Sequence, residues 1–241
     1  MVRTENQDSF CVWGLGNTIF AIVADGMGGH NGGRVASGMT VEVIKQFVSE
    51  RYTELMPAGD IAEMLKAGIC EANDKVYRRS VDERELLGMG TTATIAILKG
   101  TELVIANVGD SRAYAIGDSI AQITKDQTLV QDLIDKGEIT PQEALVHPQK
   151  HIITQAIGSA PEVTAEIIIQ ECGSRYLLLC SDGLIVHLSD AQIADIVTGS
   201  EGIDRAASCL IDEANRAGGE DNTTVVIIDT QKFEANMGVR V

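Results

Sequence analysis

Residues 19–33, IFAIVADGMGGHNGG, constrain this chain more than any other stretch. The unbroken apolar run Ile19, Phe20, Ala21, Ile22 and Val23 reads as a short strand buried on both faces. It stops at Asp25, which a cluster of glycines follows. A carboxylate at the lip of a core is costly unless it is neutralised. No Lys or Arg lies nearer along the chain than Arg34, so a group remote in sequence must balance it.

The pattern recurs. Residues 103–108 (LVIANV) run into Gly109, Asp110 and Ser111, and residues 176–180 (YLLLC) run into Ser181, Asp182 and Gly183. Near the C-terminus the order reverses, with Asp221 and Asn222 leading into 223–228 (TTVVII). Four aspartates thus stand at ends of apolar strands. If those ends converge, two carboxylates about 4 Å apart repel by roughly 4 kcal/mol at an effective dielectric near 20, and a shared cation relieves the repulsion. Aspartates are hard oxygen ligands, suited to Mg²⁺ or Mn²⁺ rather than Zn²⁺.

At 241 residues and 44% hydrophobic content, the chain is long enough for one large core, and residues 1–241 read as a single domain. The formal charge of −16, from 35 acidic against 19 basic residues, argues against non-specific binding to nucleic acid or anionic membrane. The five cysteines are scattered and form no C-x-x-C pair; four lie in or beside apolar segments, which predicts buried, reduced thiols in a cytoplasmic protein. Neither a secretory signal nor an 18-residue apolar span is present in the sequence. The expected state is a monomer.

Along the chain, 10–13 and 19–24 read as a hairpin about a turn at 14–17. Helical spacing follows over 34–52 and about 60–79. Strands at 92–98, 103–108, 112–116 and 120–123 come as consecutive hairpins, which implies antiparallel sheet. The polar region 126–155, with short helices at 129–136 and 141–146, is expected to pack loosely over the surface near the site as a flap-like segment. Strands resume at 163–169 and 175–180. Helices at 190–198, capped by Ser189, and at 203–217 precede a last strand at 223–229.

Carboxylates and divalent cations serve several reactions, and the other nucleophile signatures are missing from the sequence. It holds no G-x-S-x-G elbow, no Walker loop, no Asp-x-Asp after the first strand, and no clustered His and Cys for zinc. What fits is two-metal hydrolysis, in which paired cations lower the pKa of a bridging water and neutralise a phosphoryl group under in-line attack.

Six motifs then occur in order: Arg3-x-x-Asn6-x-Asp8, Asp25-Gly26-Met27-Gly28-Gly29-His30, Gly90-Thr91-Thr92, Asn107-Val108-Gly109-Asp110-Ser111-Arg112, Ser181-Asp182-Gly183 and Asp221-Asn222. Together they resemble the metal-dependent serine/threonine phosphatases of type 2C, in their bacterial form, and the resemblance spans the whole chain. It implies an α+β fold: two antiparallel sheets packed as a β-sandwich with helices on both outer faces. It implies that Asp25 bridges two metals, that the Gly26 carbonyl binds the second, and that Asp182 and Asp221 hold the first. Asp8 would orient the attacking water, and Arg3 would grip the substrate phosphate through its guanidinium fork. A third metal would take Asp110 and Asp182, with His151 the best match for a further ligand. The implied cofactor is Mn²⁺ or Mg²⁺, and the implied partners are phosphoprotein substrates of a serine/threonine kinase.

The sequence also departs from the family pattern. Gln7 stands where some relatives have Glu, so binding of the second metal is expected to be weaker or to run through water. Met27 replaces a histidine proposed as general acid in eukaryotic relatives, which leaves that role to water on a metal; His30 reads as a structural loop histidine. The first strand usual in the family is not seen ahead of Arg3. Two rival readings are a catalytically silent binding scaffold of the same fold, and a nucleotide-binding ATPase domain using 25–29 as a phosphate lid. Retention of all four strand-end aspartates speaks against silence.

Overall fold

The computed structural model describes residues 5–29, 31–232 and 239–240. Strands β1 (Asp8–Leu15) and β2 (Thr18–Met27) form a hairpin, followed by helices α1 (Gly32–Arg51) and α2 (Ala58–Asp82). Next come β3 (Gly90–Thr91), β4 (Ala93–Lys99), β5 (Glu102–Val108), β6 (Arg112–Ile116) and β7 (Ile120–Gln122). Short helices α3 (Leu129–Asp135) and α4 (Pro141–Leu145) precede β8 (Glu166–Glu171) and β9 (Tyr176–Cys180). The chain continues through α5 (Asp182–Ile185), α6 (Asp190–Gly199), α7 (Ile203–Ala217), β10 (Val225–Asp229) and β11 (Val239–Arg240).

Every strand pairing is antiparallel. One sheet runs β1-β2-β4-β5-β8, with β3 joined to the end of β2; the other runs β11-β10-β9-β6-β7. Strand alternation sorts the side chains into layers. Ile19, Ala21 and Val23 of β2 meet Leu177 and Leu179 of β9 and Val226 and Ile228 of β10 between the sheets. Phe20, Ile22 and Ala24 face the other way, onto Ala36, Ile44 and Val48 of α1 and Leu65, Ile69 and Ala72 of α2. On the opposite side Tyr114, Leu178 and Ile227 pack beneath Ile193 of α6 and Leu210 of α7. Fully burying each Leu, Ile or Val contributes about 1.5–3 kcal/mol, so both faces of both sheets are committed to core. The four layers, helix, sheet, sheet and helix, are those expected from the sequence.

Local chemistry explains the boundaries. Gly16 and Asn17 close the first hairpin, where Leu15 pairs with Thr18. Ser189 and Gln192 form a reciprocal capping box at the start of α6. β8 begins at Glu166 rather than at 163, because the backbone of Thr164 is bonded by the side chains of Gln155 and Gln127 instead of a neighbouring strand. The segment 126–155 is not loose at its ends: Thr128 bridges Ile153, and Leu129 N–H donates to Ile152 O at 2.8 Å. The cysteines also depart from expectation. Cys172 and Cys180 are buried, Cys11 and Cys209 are half-buried and Cys70 is exposed; all five are free thiols. Cys70 follows the apolar stripe in sequence but points away from it. No helix among the described residues is long and apolar enough to cross a membrane.

Candidate metal centre

The site begins with strand register. Asp8 of β1 lies directly opposite Asp25 of β2, and facing residues of an antiparallel pair project to the same side. Asp25 continues the alternation of Ile19, Ala21 and Val23, so its carboxylate opens at the end of the layer between the sheets. The second sheet answers from the same end. Asp182 is the first residue of α5 after β9, and Asp221 lies four residues ahead of β10.

Hydroxyls join the two sheets there. Ser181 Oγ and Thr224 Oγ1 both donate to Asp8 Oδ2, at 2.8 and 2.7 Å. Thr224 N–H in turn donates to Ser181 Oγ at 3.0 Å, and Ser181 N–H to Thr224 O at 3.1 Å. Asp25 is held through its backbone: its N–H donates to Thr92 Oγ1 at 2.9 Å, and its carbonyl accepts from Thr91 Oγ1 at 2.8 Å and from Thr92 N–H at 2.9 Å. Thr91, Thr92 and Ser181 stand in the sequence motifs without an assigned role, and Thr224 lies in the apolar strand that follows the last motif. Only Ser181, beside Asp182, carried a signal in its sequence position.

Gly26 shows why a glycine follows Asp25. A Cβ there would stand 2.1 Å from Gly33 O and 2.5 Å from Gln7 O, so no larger residue fits between β2, the start of α1 and the approach to β1. Asn222 fastens that approach from the other sheet, accepting from Gln7 N–H at 2.9 Å and donating to Glu5 O at 3.1 Å.

The acids crowd one another. Burial lifts the Asp25 carboxyl well above the usual range, with the charges of Asp8 and Asp182 adding to it. Burial also raises Asp8, opposed by the hydroxyls of Thr224 and Ser181, and raises Asp182. Asp110, in the loop after β5, is pushed up to about 7 by burial and then by the charges of Asp182 and Asp126. Among the described residues no three His, Cys, Asp or Glu side chains already stand at ligand spacing about one point. The proximity is electrostatic: Asp8 and Asp182 each raise the Asp25 carboxyl through their charge.

Two buried oxygens, Asp8 Oδ1 and Asp182 Oδ1, receive no donor from the protein. An orphaned buried carboxylate oxygen is expensive, and their carboxylate neighbour Asp25 is an acceptor itself. Hard acceptors without donors, beside further acids, fit a divalent cation. Asp25 and Asp182 line an open cleft of ≈ 1010 Å³ together with Gly26, Asp110, Asp221 and His151. Of the residues expected at the site, Asp25, Gly26, Asp110, Asp182 and Asp221 all line this cleft; Asp8 is not among the lining residues but stands opposite Asp25 in the strand register. Arg3 and His30 lie outside the described residues. Arg112, from the same motif as Asp110, turns away to clasp Asp126 through two nitrogens, Nε at 2.8 Å and an Nη at 2.7 Å.

Known proteins resemble this chain in sequence and fold. The chain is similar to the serine/threonine phosphatase stp of Listeria monocytogenes, at 38% identity over 96% of this chain and 94% of that one. Among solved structures it is similar to serine/threonine phosphatase Stp1 of Staphylococcus aureus, with a TM-score of 0.87, 34% identity, and coverage of 94% and 89%. It is also similar to the catalytic domain of the phosphatase PstP in complex with two manganese ions, with a TM-score of 0.80, 36% identity, and coverage of 95% and 93%. Fold and relatives together define the class, the metal-dependent serine/threonine phosphatases. The chain belongs to the protein phosphatase 2C family, whose profile matches residues 2–210.

Proposed function

We propose that this chain removes phosphate from phosphoserine and phosphothreonine in proteins, using a pair of Mn²⁺ or Mg²⁺ ions and a third held by Asp110 and Asp182. Asp25 would serve both ions of the pair, Gly26 O the second, and Asp182 and Asp221 the first. When bound, the cations supply charge for the phosphoryl oxygens and an acidified water as nucleophile. Asp8 is suited to orient that water and hold its proton, since Ser181 and Thr224 occupy Oδ2 and leave Oδ1 undonated. Arg3 is assigned to the substrate phosphate on sequence resemblance alone. The open cleft suits a phosphorylated side chain presented on a protein surface. We assign the protein to the cytoplasm, acting as a monomer opposite a serine/threonine kinase.

The observation that carries the reading is the pair of orphaned oxygens, Asp8 Oδ1 and Asp182 Oδ1, buried among like charges. Hydrolysis of p-nitrophenyl phosphate should require Mn²⁺ or Mg²⁺ and cease with chelator. Asp182→Asn should lower turnover by roughly 100-fold or more, beyond the 10–100-fold usual for losing a ligand's own partner, while the circular dichroism stays that of the folded protein. Normal turnover in that variant would remove Asp182 from the centre.

A further inference from the structure

The segment 126–155 is rooted at two points, and each root touches backbone next to an acid of the cleft. On the returning side Ile157 exchanges hydrogen bonds with Thr91, at 3.0 and 2.9 Å, and the Thr91 hydroxyl holds the Asp25 carbonyl. On the departing side a single residue, Gln127, gathers four bonds. Its backbone N–H donates to Gly109 O at 3.0 Å, and its Oε1 accepts from Gly109 N–H at 2.8 Å. Its carbonyl accepts from Thr154 N–H at 2.8 Å, and its Nε2 donates to Thr164 O at 3.2 Å.

Gln127 therefore satisfies both polar groups of the residue preceding Asp110, and with its other two bonds grips the returning limb and the approach to β8. Gly109 needs such a hold. Its φ of +99° is accessible to glycine, and a Cβ there would lie 2.6 Å from Thr92 Cγ2. A glycine loop has many alternatives, and the carboxylate it carries is repelled by Asp182.

We propose that Gln127 is a positioning residue that fixes Asp110 against Asp182 and ties that placement to segment 126–155. The proposal rests on the reading of Asp110 as a cation ligand. Gln127 itself is not among the residues lining the cleft, so it acts through Gly109 rather than on substrate.

The test is calorimetric titration with Mn²⁺ alone, on Gln127→Met, which keeps the bulk and removes acceptor and donor, on Gln127→Ala, on Asp110→Asn, and on Asp110→Asn combined with Gln127→Met. The expected result is that Gln127→Met weakens, by about tenfold, the same binding event that Asp110→Asn removes, and adds nothing in the Asp110→Asn background. Hydrogen exchange at the Gly109 amide should quicken in parallel. A wild-type isotherm in Gln127→Met and Gln127→Ala would overturn the proposal, even if the melting temperature in chelator fell. So would an equal further weakening in the Asp110→Asn background, which would make Gln127 act elsewhere. An Asp110→Asn isotherm equal to wild type would overturn the ligand assignment, and the proposal with it.

Discussion

At the scale of single residues, the acids of the cleft carry opposite obligations in the presence and absence of cation. Burial raises Asp8, Asp25 and Asp182, and Asp110 is pushed up from 3.8 to about 7. A carboxyl whose folded pKa is raised favours folding while it is protonated. That contribution is fully present below the unfolded value of 3.8 and is lost as pH rises through the folded one. Protein in chelator should therefore lose several degrees of melting temperature between pH 4 and pH 8. Saturating Mn²⁺ should reverse the trend, since ions compete with those protons. A melting temperature in chelator that stays flat or climbs over this range would show that the acids are solvated. Asp25, Asp110 and Asp182 were legible in the sequence because each follows an apolar run, whereas Asp8 was found only through the family resemblance. The hydroxyls were not given roles, because what they bond is set by tertiary pairing: Ser181 and Thr224 reach Asp8 across the two sheets, and Thr91 and Thr92 reach Asp25 from a neighbouring strand end.

At the scale of elements, one buried side chain on an outer helix holds a loop near the site. Asn73 of α2 is 2% exposed; its amide nitrogen donates to Ala160 O and Pro161 O, at 3.0 and 3.1 Å, and its oxygen accepts from Gly158 N–H at 2.8 Å. Asn73→Ala strands three backbone groups, at about 1–3 kcal/mol for a buried group left unpaired. Partial rehydration should leave a net loss of about 2–4 kcal/mol, read as a lower urea midpoint at unchanged slope. A loss under about 0.5 kcal/mol would mean that water replaces the amide. The sequence placed α2 from its apolar stripe, and that same stripe hid Asn73, a polar residue one step from Ala72. Long periodic elements such as α1, α7 and the hairpins were readable because their burial repeats. The four-residue α5 and two-residue β3 were not, since neither is long enough to show a period.

At the scale of the whole molecule, the layer between the sheets belongs to both halves. Neither sheet can keep its inner face dry without the other, so unfolding should be a single transition despite the chain's 241 residues. Trp13, the only tryptophan, stacks on Phe20 at 5.0 Å on the helix-facing side of the first sheet. Its fluorescence and the far-ultraviolet circular dichroism should therefore trace coincident urea curves; separated midpoints would reveal one sheet outlasting the other. The Gly16 and Asn17 turn has a consequence of the same reach. By setting Leu15 against Thr18 it also sets Asp8 against Asp25, ten positions downstream of Leu15. Lengthening that turn by one residue would shift the whole ladder a notch, and Asp8 would swing toward the helices. Thus a connection at the far tip of the hairpin works as the ruler that keeps two distant carboxylates face to face.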